Sequence, residues 1–371
     1  MKVAIIGGSL GGLALGMALK KANIDFEIYE RSNSDLSKHG GGIVLQPDLI
    51  DFIIDCDLAT VEDISNEILE RMTIYPDNSQ RIYKMPQNMT SWSVLYNLFV
   101  SKITNSNYHQ GYALKSIHQK ESKIDLSFEN GEEAYDFDFV IGVDGVNSVV
   151  RDYVTNDASY EYAGYVAFRG VENIEDFSTD IQETINKRFV STNSKSNQML
   201  MYLIPEVIGS TQKKMNWVWY TKIPENKLNE ILKGSDCKQY SSFMPYKAMK
   251  KETLTEIKQY AKENLPDLLS KVIEETQNPF LQTIIDVKAN KLVNNNIIIL
   301  GDSSSTPRPH TAMGVAKAIS AARELADILQ KVKEKPDDYD YLISSWENEN
   351  LLIADALINR GKMIAAQINL Q

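Results

Sequence analysis

The chain has 371 residues, of which 43% are hydrophobic, and a formal net charge of −11 at pH 7. This length predicts two intertwined units with a large buried core, and the acidic balance argues against nucleic acid or an anionic membrane as a partner. Cys56 and Cys237 lie far apart without metal-ligand spacing, and neither a signal peptide nor a membrane-spanning apolar run is present, so we expect a cytoplasmic protein without disulfides or metal.

Residues 1–31 predict a strand, a tight turn, a helix and a second strand. The turn carries Gly7-x-Ser9-x-x-Gly12, in which Gly7 makes the sharp turn and Gly12 lets the helix lie close to the sheet. The backbone N–H groups from Ser9 to Gly12 open the helix, whose positive end suits a pyrophosphate. Glu30 ends the second strand, where its carboxylate can accept hydrogen bonds from a ribose. The segment therefore predicts an adenine dinucleotide site.

The next part of the chain alternates short predicted strands and helices. Residues 40–42 are three glycines that enter an apolar strand, where they form either a close backbone approach to something flat or a flexible loop. Further along we predict a helix over 47–57, strands over 69–85, a capped helix after residue 90 and a hairpin over 123–139. A buried strand over 139–143 then ends in Asp144-Gly145, with Ser148 and Arg151 one turn apart on a following helix.

The second half of the chain changes from strands to helices. Residues 165–171, 198–205 and 216–223 predict a separate, largely antiparallel sheet, and 250–275 predict two amphipathic helices around Pro266. A buried strand over 296–302 leads into a loop with Pro307 and Pro309. An alanine-rich helix over 311–329 follows, and its small residues predict close packing.

Three motifs stand in order along the chain: Gly7-x-Ser9-x-x-Gly12 with Glu30, Asp144-Gly145, and Gly301-Asp302 followed by Pro309 and Gly314. Together they resemble the single-component (class A) FAD-dependent aromatic hydroxylases of the para-hydroxybenzoate hydroxylase type, over essentially the whole chain. Finer matches at 41–47, 90–96, 216–220 and 308–310 are similar to the branch of 2,6-dihydroxypyridine 3-hydroxylase and 6-hydroxynicotinate 3-monooxygenase. The third motif departs from the usual Gly-Asp-Ala-Ala, since it continues with three serines.

The resemblance implies an α/β fold in which a Rossmann-like FAD-binding domain is interleaved with a mostly antiparallel substrate-binding sheet. The FAD-binding domain would comprise residues 1–70, 95–155 and 285–345. The sheet domain would comprise 71–94 and 156–284, and a C-terminal helix would follow over 346–371.

The resemblance also implies FAD as the bound cofactor, with NADH or NADPH as a transient co-substrate in a surface groove. The cofactor-binding residues that it implies are Gly7, Ser9, Leu10, Gly12, Glu30, Arg31, Lys38, Leu114, Asp144, Asp302, Pro309, Gly314, Val315 and Ala316. The alternative role of Asp302 is to cap a helix. Lys38 and its neighbour His39 either contact the FAD phosphates or are exposed loop charges. Arg151 either contacts phosphate or pairs with a carboxylate.

Among the four histidines, His310 lies next to the implied flavin ring and is the candidate catalytic residue, either as an acid–base group or as a substrate contact. Its alternative is a structural loop histidine. Substrate-binding candidates are Arg169, Gln198, Tyr202 and Gln46. Gln198 and Tyr202 share one face of their strand by alternation, and the sequence leaves open which face looks at the flavin.

The resemblance implies a monooxygenase in which the nicotinamide reduces FAD and a C4a-hydroperoxyflavin transfers oxygen to a small electron-rich aromatic or N-heteroaromatic ring. One alternative is hydroxylation of a larger polycyclic compound such as a tetracycline. Others are an FAD-binding redox module that does not oxygenate and a nicotinamide dehydrogenase. The expected partners are the ring substrate, O₂ and NAD(P)H, in a monomer or homodimer.

Overall fold

The computed structural model describes residues 1–34, 36 and 40–370. Its strands are β1 (Lys2–Ile6), β2 (Asp25–Glu30), β3 (Gly42–Val44), β4 (Asn66–Ile74), β5 (Gln80–Ser91), β6 (Tyr108–Gln110), β7 (Leu114–Gln119), β8 (Ile124–Phe128), β9 (Glu133–Phe137), β10 (Phe139–Gly142), β11 (Ser159–Asn173), β12 (Arg188–Ser194), β13 (Asn197–Pro205), β14 (Lys213–Lys222), β15 (Phe243–Met244), β16 (Phe280–Lys288), β17 (Val293–Asn294), β18 (Ile297–Ile299) and β19 (Ser305–Thr306). Its helices are α1 (Leu10–Lys21), α2 (Pro47–Asp55), α3 (Val61–Ile64), α4 (Trp92–Val100), α5 (Arg151–Val154), α6 (Thr179–Ile185), α7 (Glu225–Ile231), α8 (Lys251–Asn264), α9 (Asp267–Glu275), α10 (Gly314–Glu334) and α11 (Tyr339–Gln367).

The apolar strands at the start, middle and end of the chain meet in one sheet, in the order β17-β18-β10-β1-β2-β6. All neighbours in it are parallel except β17 and β18. Ile5 of β1 pairs with Ile28 on one side and Ile141 on the other, and all three are fully buried. Parallel strands covered on both faces are apolar throughout, which is why these runs were recognisable. The predicted Rossmann-like, interleaved α/β fold is confirmed.

The second sheet has ten strands: nine in the order β15-β16-β11-β14-β13-β12-β4-β5-β3, and β19, which pairs with β16. All its pairs are antiparallel except β12 with β4. The three strands predicted between residues 160 and 224 are β11, β13 and β14 of this sheet. β12 and β16 were not predicted. Strands β3 and β4 begin before residue 71 but pair in this sheet. The division into domains stays a prediction.

The two faces of the ten-stranded sheet have different environments. Met199, Met201, Trp217 and Trp219 are fully buried on one face, in a cluster that includes residues of α6 to α9. Successive side chains of a strand point to opposite faces, so Gln198, Tyr202 and Tyr220 lie on the other face. That second face lines a cavity of the molecule, and that it looks at the flavin stays a prediction.

Two helix boundaries differ from the predictions. α5 begins at Arg151, so Ser148 lies before the helix, where its Oγ accepts a hydrogen bond from Arg151 N at 2.9 Å. α10 begins at Gly314 rather than at residue 311, because residues 309–311 form a short 3₁₀ turn and Ala312 adopts a positive φ of 54°. The chain therefore reverses direction just before this helix, which leaves the N-terminus of α10 open.

The long C-terminal helix α11 packs on α10 and on the turn before it. Trp346 Nε1 donates to the carbonyl of Ala321 at 3.3 Å, and Gly361 lies against Arg308. The helix begins at Tyr339, earlier than the predicted residue 346. In the described ranges, no helix combines the length and the apolar character needed to cross a membrane.

Candidate functional site

The first motif forms an open helix N-terminus at the end of β1. Ser9 occupies the N-cap position of α1, and its side chain makes no capping hydrogen bond. Gly7 has a φ of 112°, and a Cβ on Gly12 would lie 1.9 Å from the Gly7 carbonyl oxygen. Loop and helix therefore touch, and the first N–H groups of α1, from Leu10 onward, are left for a ligand.

Glu30 is buried and holds this loop in place. Its Oε2 accepts a hydrogen bond from Gly8 N at 2.8 Å, and its Oε1 accepts one from Ser32 N at 2.8 Å. A carboxylate oxygen can accept more than one hydrogen bond, so both oxygens retain capacity for a ribose hydroxyl. Arg31 is exposed beside it, Leu114 is buried at the start of β7, and Lys38 and His39 lie outside the described residues.

Asp144 shapes the turn of the second motif. Ser148 Oγ donates to its Oδ1 at 2.6 Å, and the N–H groups of Val149 and Val150 donate to its Oδ2 at 2.7 and 3.2 Å. Burial raises the pKa of this carboxyl, whereas these hydrogen bonds act in the opposite direction. The carboxylate thus already has three donors from its own loop.

Arg151 joins the second motif to the third. Its buried guanidinium donates from Nη2 to the Val146 carbonyl at 2.9 Å and from Nη1 to the Ser303 carbonyl at 3.2 Å. These partners are backbone oxygens, so in the described part of the chain Arg151 does not pair with a carboxylate, and its contact with a phosphate stays a prediction. Arg151 positions the third motif.

Asp302 of the third motif and Lys317 of α10 interact through their charges. The Asp302 carboxylate lines the cavity, has no side-chain hydrogen bond within the described ranges, and has its pKa raised by burial. Lys317 is buried on α10 and donates to the Gly301 carbonyl at 2.9 Å, to Ser305 Oγ at 2.7 Å and to the Ser305 carbonyl. Burial lowers the pKa of Lys317 to about 8. Sequence reasoning missed this lysine, although its position between Gly314 and Ala321 on a stripe of small residues was a signal.

His310 lies between two side chains of the ten-stranded sheet. Its Nδ1 is 3.0 Å from Gln198 Oε1, and its Nε2 is 2.9 Å from the Tyr165 hydroxyl. Gln198 Nε2 donates to Asn193 Oδ1 at 2.9 Å, which leaves Gln198 Oε1 as an acceptor. Nδ1 therefore carries the proton and donates to Gln198, and Nε2 accepts from Tyr165. Tyr220 contacts the ring edge-on, with centroids 4.6 Å apart.

Burial, aided by the charge of Arg308, lowers the pKa of His310 to about 4. The unfolded chain takes up this proton near pH 6.5 and the folded chain only near pH 4, so the contribution of His310 to stability is complete above pH 6.5 and is lost as pH falls through 4. We expect wild-type protein to lose stability relative to His310→Gln over this interval, as measured by urea unfolding at several pH values. Parallel stability curves for the two proteins would contradict it.

A cavity of about 670 Å³ lies between the ten-stranded sheet and the loop before α10. The predicted site residues that line it are Arg169, Gln198, Tyr202, Asp302, Pro309, His310, Gly314, Val315 and Ala316. Gln46 lies at its margin, where Nε2 is 3.5 Å from the Ala312 carbonyl. The N-terminal glycine motif and Asp144 do not line it. The structure thus brings one group of predicted residues together around the cavity. The residues of the glycine motif lie apart from it, at the N-terminus of α1.

The wall of the cavity nearest β3 has unsatisfied donors. Arg169 donates from Nη1 to Gln282 Oε1 at 3.1 Å, while its buried Nε has no partner among the described residues. Asn216 Oδ1 accepts from Gly42 N at 2.8 Å, and a Cβ on Gly42 would lie 2.5 Å from the Tyr202 ring. The glycine run thus makes a close approach to a flat side chain, the first of the two roles left open. The sequence analysis did not identify Asn216, Gln282 or Tyr165 as site residues.

Comparisons with known proteins agree with this architecture. A family model described as FAD binding domain-like matches residues 162–286. The 2,6-dihydroxypyridine 3-monooxygenase of Paenarthrobacter nicotinovorans is 27% identical over 99% of this chain and 91% of its own length. The solved structure of 2,6-dihydroxypyridine-3-hydroxylase from Arthrobacter nicotinovorans superposes with a TM-score of 0.92, at 25% identity, over 99% of this chain and 92% of that one. Klebsiella pneumoniae HpxO, solved with FAD and uric acid, has a TM-score of 0.77 at 16% identity over 98% and 88% of the chains, a likeness of fold.

The chain is therefore similar over nearly its whole length to FAD-dependent monooxygenases. Within them it is similar along its whole length to the dihydroxypyridine hydroxylase branch, and the resemblance predicted from the three motifs is confirmed.

Gly12→Ala is expected to abolish tight FAD binding, because its Cβ would meet the Gly7 carbonyl oxygen at 1.9 Å and force α1 away from the loop. The measurement is the FAD content of purified protein and its dissociation constant by flavin fluorescence. Gly131→Ala is the control for a strained glycine substitution in another loop, because Gly131 has a φ of 86° while a Cβ there meets nothing within 4 Å. FAD affinity in Gly12→Ala equal to that of the control would contradict the proposed pyrophosphate site.

Proposed function

We propose that this chain binds FAD and uses NADH or NADPH with O₂ to hydroxylate a small electron-rich aromatic or N-heteroaromatic ring. The proposal is carried by the position of His310, which lies between Tyr165 and Gln198 on the wall of the cavity. Asp302 and the start of α10 line the same cavity.

Three features fit FAD. The uncapped N-terminus of α1 suits the pyrophosphate, and Glu30 suits the ribose of the adenine half. Asp302 is a cavity carboxylate without a side-chain hydrogen bond in the described ranges, and it suits a ribityl hydroxyl. At Gly314 nothing lies within 4 Å of an added Cβ, so the N–H groups at the start of α10 have room for the flavin pyrimidine edge. When bound, FAD supplies the redox chemistry and the activation of O₂.

The side chains of the cavity would position the ring and control its proton. Leu200, Val218 and Tyr220 form an apolar surface beside His310 that excludes water. Nε2 of His310 is the acceptor of the Tyr165–His310–Gln198 network, and its low pKa keeps it free of a proton at neutral pH. A hydroxyl of the substrate that donates a hydrogen bond to Tyr165 joins this network, and the polarisation of its O–H bond makes the ring more nucleophilic.

The choice of a small ring is supported by similarity to the dihydroxypyridine enzyme over nearly the full length of both chains. Tetracycline destructase Tet(51) shares the fold, with a TM-score of 0.70 at 14% identity, and gives no argument about substrate. The experiment is a screen of hydroxypyridines, hydroxybenzoates and tetracyclines for stimulated NAD(P)H and O₂ consumption by FAD-loaded protein, with analysis of products. We expect a hydroxylated single-ring product. Turnover of tetracyclines alone, or NAD(P)H oxidation that no compound stimulates, would overturn the proposal.

A further inference from the structure

A β-bulge in β4 directs Arg71 into the cavity. The pairing of β4 with β5 shifts register between Ile68 and Glu70, and the N–H groups of Leu69 and Glu70 both face the Lys187 carbonyl, at 2.9 and 3.3 Å. In an unbroken strand Ile68 and Met72 would share a face. Instead Ile68 packs with Phe189 and Tyr202 on the cavity side, and Met72 belongs to the core on the opposite side.

Arg71 is therefore a half-buried cation on the cavity wall. Its guanidinium lies over the Phe189 ring at 4.7 Å from the centroid, and Phe189 stacks on Tyr202 at 5.3 Å. Nη2 donates to Gln87 Oε1 at 2.9 Å. In the described part of the chain no carboxylate pairs with Arg71, whereas the neighbouring Glu70 is engaged by Arg188 on the other side of the bulge.

Two buried donors at this point have no acceptor. Arg71 Nε and Gln87 Nε2 are both buried and lack hydrogen-bond partners within the described ranges. Burying a donor without a partner is costly, and a buried cation without a counter-charge costs more. The lining residues of the cavity include Arg71, Arg169 and Arg308 but only one carboxylate, Asp302, and Arg308 is already paired with Asp286. The end of the cavity at Arg71 thus lacks an anion that accepts hydrogen bonds.

We propose that Arg71 and Gln87 form an anion subsite that selects ring substrates carrying a carboxylate on a short side chain. The proposal rests on the proposed function, which places the reacting ring beside His310. His310 contacts Gln198, which pairs with Asn193 of β12, whereas Arg71 pairs with Phe189 of the same strand. Arg71 therefore lies two strand spacings, about 10 Å, across the sheet and four residues, about 13 Å, along it from the His310 end. A carboxylate attached directly to a single ring at His310 falls short of this distance, so a spacer of two or more atoms is required.

The test is calorimetric titration of the FAD-loaded protein with 3-(4-hydroxyphenyl)propanoate, its neutral amide and 4-hydroxybenzoate. Wild type should bind the propanoate at least about tenfold more tightly than the amide, since a charge-assisted hydrogen-bonded pair is lost in the amide. Arg71→Gln should remove this difference while leaving amide binding unchanged. Arg81→Gln, which removes an exposed charge on the neighbouring strand, should keep it.

A second variant tests the subsite in case Arg71→Gln does not fold. Gln87→Glu places a carboxylate against Arg71 and should abolish the preference for the propanoate without removing the guanidinium. An acid-to-amide ratio near one in wild type, or an unchanged ratio in both variants, would overturn the subsite. So would a raised KM for NADH or NADPH in Arg71→Gln with the ratio intact, because the guanidinium would then serve the dinucleotide. Heat of binding is independent of turnover, so failure of the hydroxylation itself is recognised separately.

Discussion

His310→Ala should lower the rate of ring hydroxylation by about 100-fold or more while FAD remains bound with near wild-type affinity. The histidine contacts Tyr165 and Gln198 rather than the α1 loop or Asp302, so its loss removes the proton acceptor of the cavity and leaves the groups proposed for FAD intact. The measurement compares hydroxylated product per NAD(P)H consumed with the dissociation constant of FAD. We expect a fall in product and a rise in uncoupled peroxide.

His118→Ala is the matched control for this prediction, because His118 is an exposed histidine on β7 whose Nε2 contacts Ser116 and Ser127, away from the cavity. It should hydroxylate like wild type. If His310→Ala loses FAD in parallel with activity, or hydroxylates at the wild-type rate, His310 is a structural loop residue. That was the alternative role left open by the sequence.

Asp302→Ala should have the reverse effect, weakening FAD binding by about tenfold to 100-fold, the usual range for a hydrogen bond to a charged group. Its carboxylate has no side-chain partner among the described residues and a pKa raised by burial, so removing it should not lower the free energy of unfolding of the FAD-free protein. Flavin fluorescence titration measures the affinity, and urea unfolding measures the stability.

The control for Asp302→Ala is Asp152→Ala, which removes an exposed carboxylate on α5. That variant should bind FAD like wild type. Unchanged FAD affinity in Asp302→Ala, together with a loss of stability, would show that the carboxylate caps its own turn rather than serving the cofactor.

The parts of the fold that the sequence predicts are those governed by local chemistry. The glycine turn at residues 7–12, the apolar runs of β1 and β10 and the cap of α4 at Ser91 depend on neighbouring residues alone. Ser91 Oγ indeed accepts from Val94 N at 3.1 Å. The predicted bounds of such elements agree with the structure to within a few residues.

The rest depends on contacts between distant residues. Tyr165 meets His310 only because β11 and the loop before α10 fold together, and Arg151 reaches Ser303 across a similar separation in sequence. The bulge that turns Arg71 toward the cavity is invisible to a period-two pattern, because that pattern assumes unbroken alternation. Lys317 shows the same limit: its place on a stripe of small residues indicates burial, but its partners Gly301 and Ser305 lie on another segment of the chain.

The most direct test of the proposed reaction is oxygen labelling. FAD-loaded protein is incubated with NADH or NADPH, ¹⁸O₂ and a hydroxypyridine that stimulates oxygen consumption, and the product is examined by mass spectrometry. We expect one ¹⁸O atom in each new ring hydroxyl, with product formation that depends on FAD. Protein that takes up no FAD, a hydroxyl derived from water, or oxygen recovered only as peroxide would contradict it.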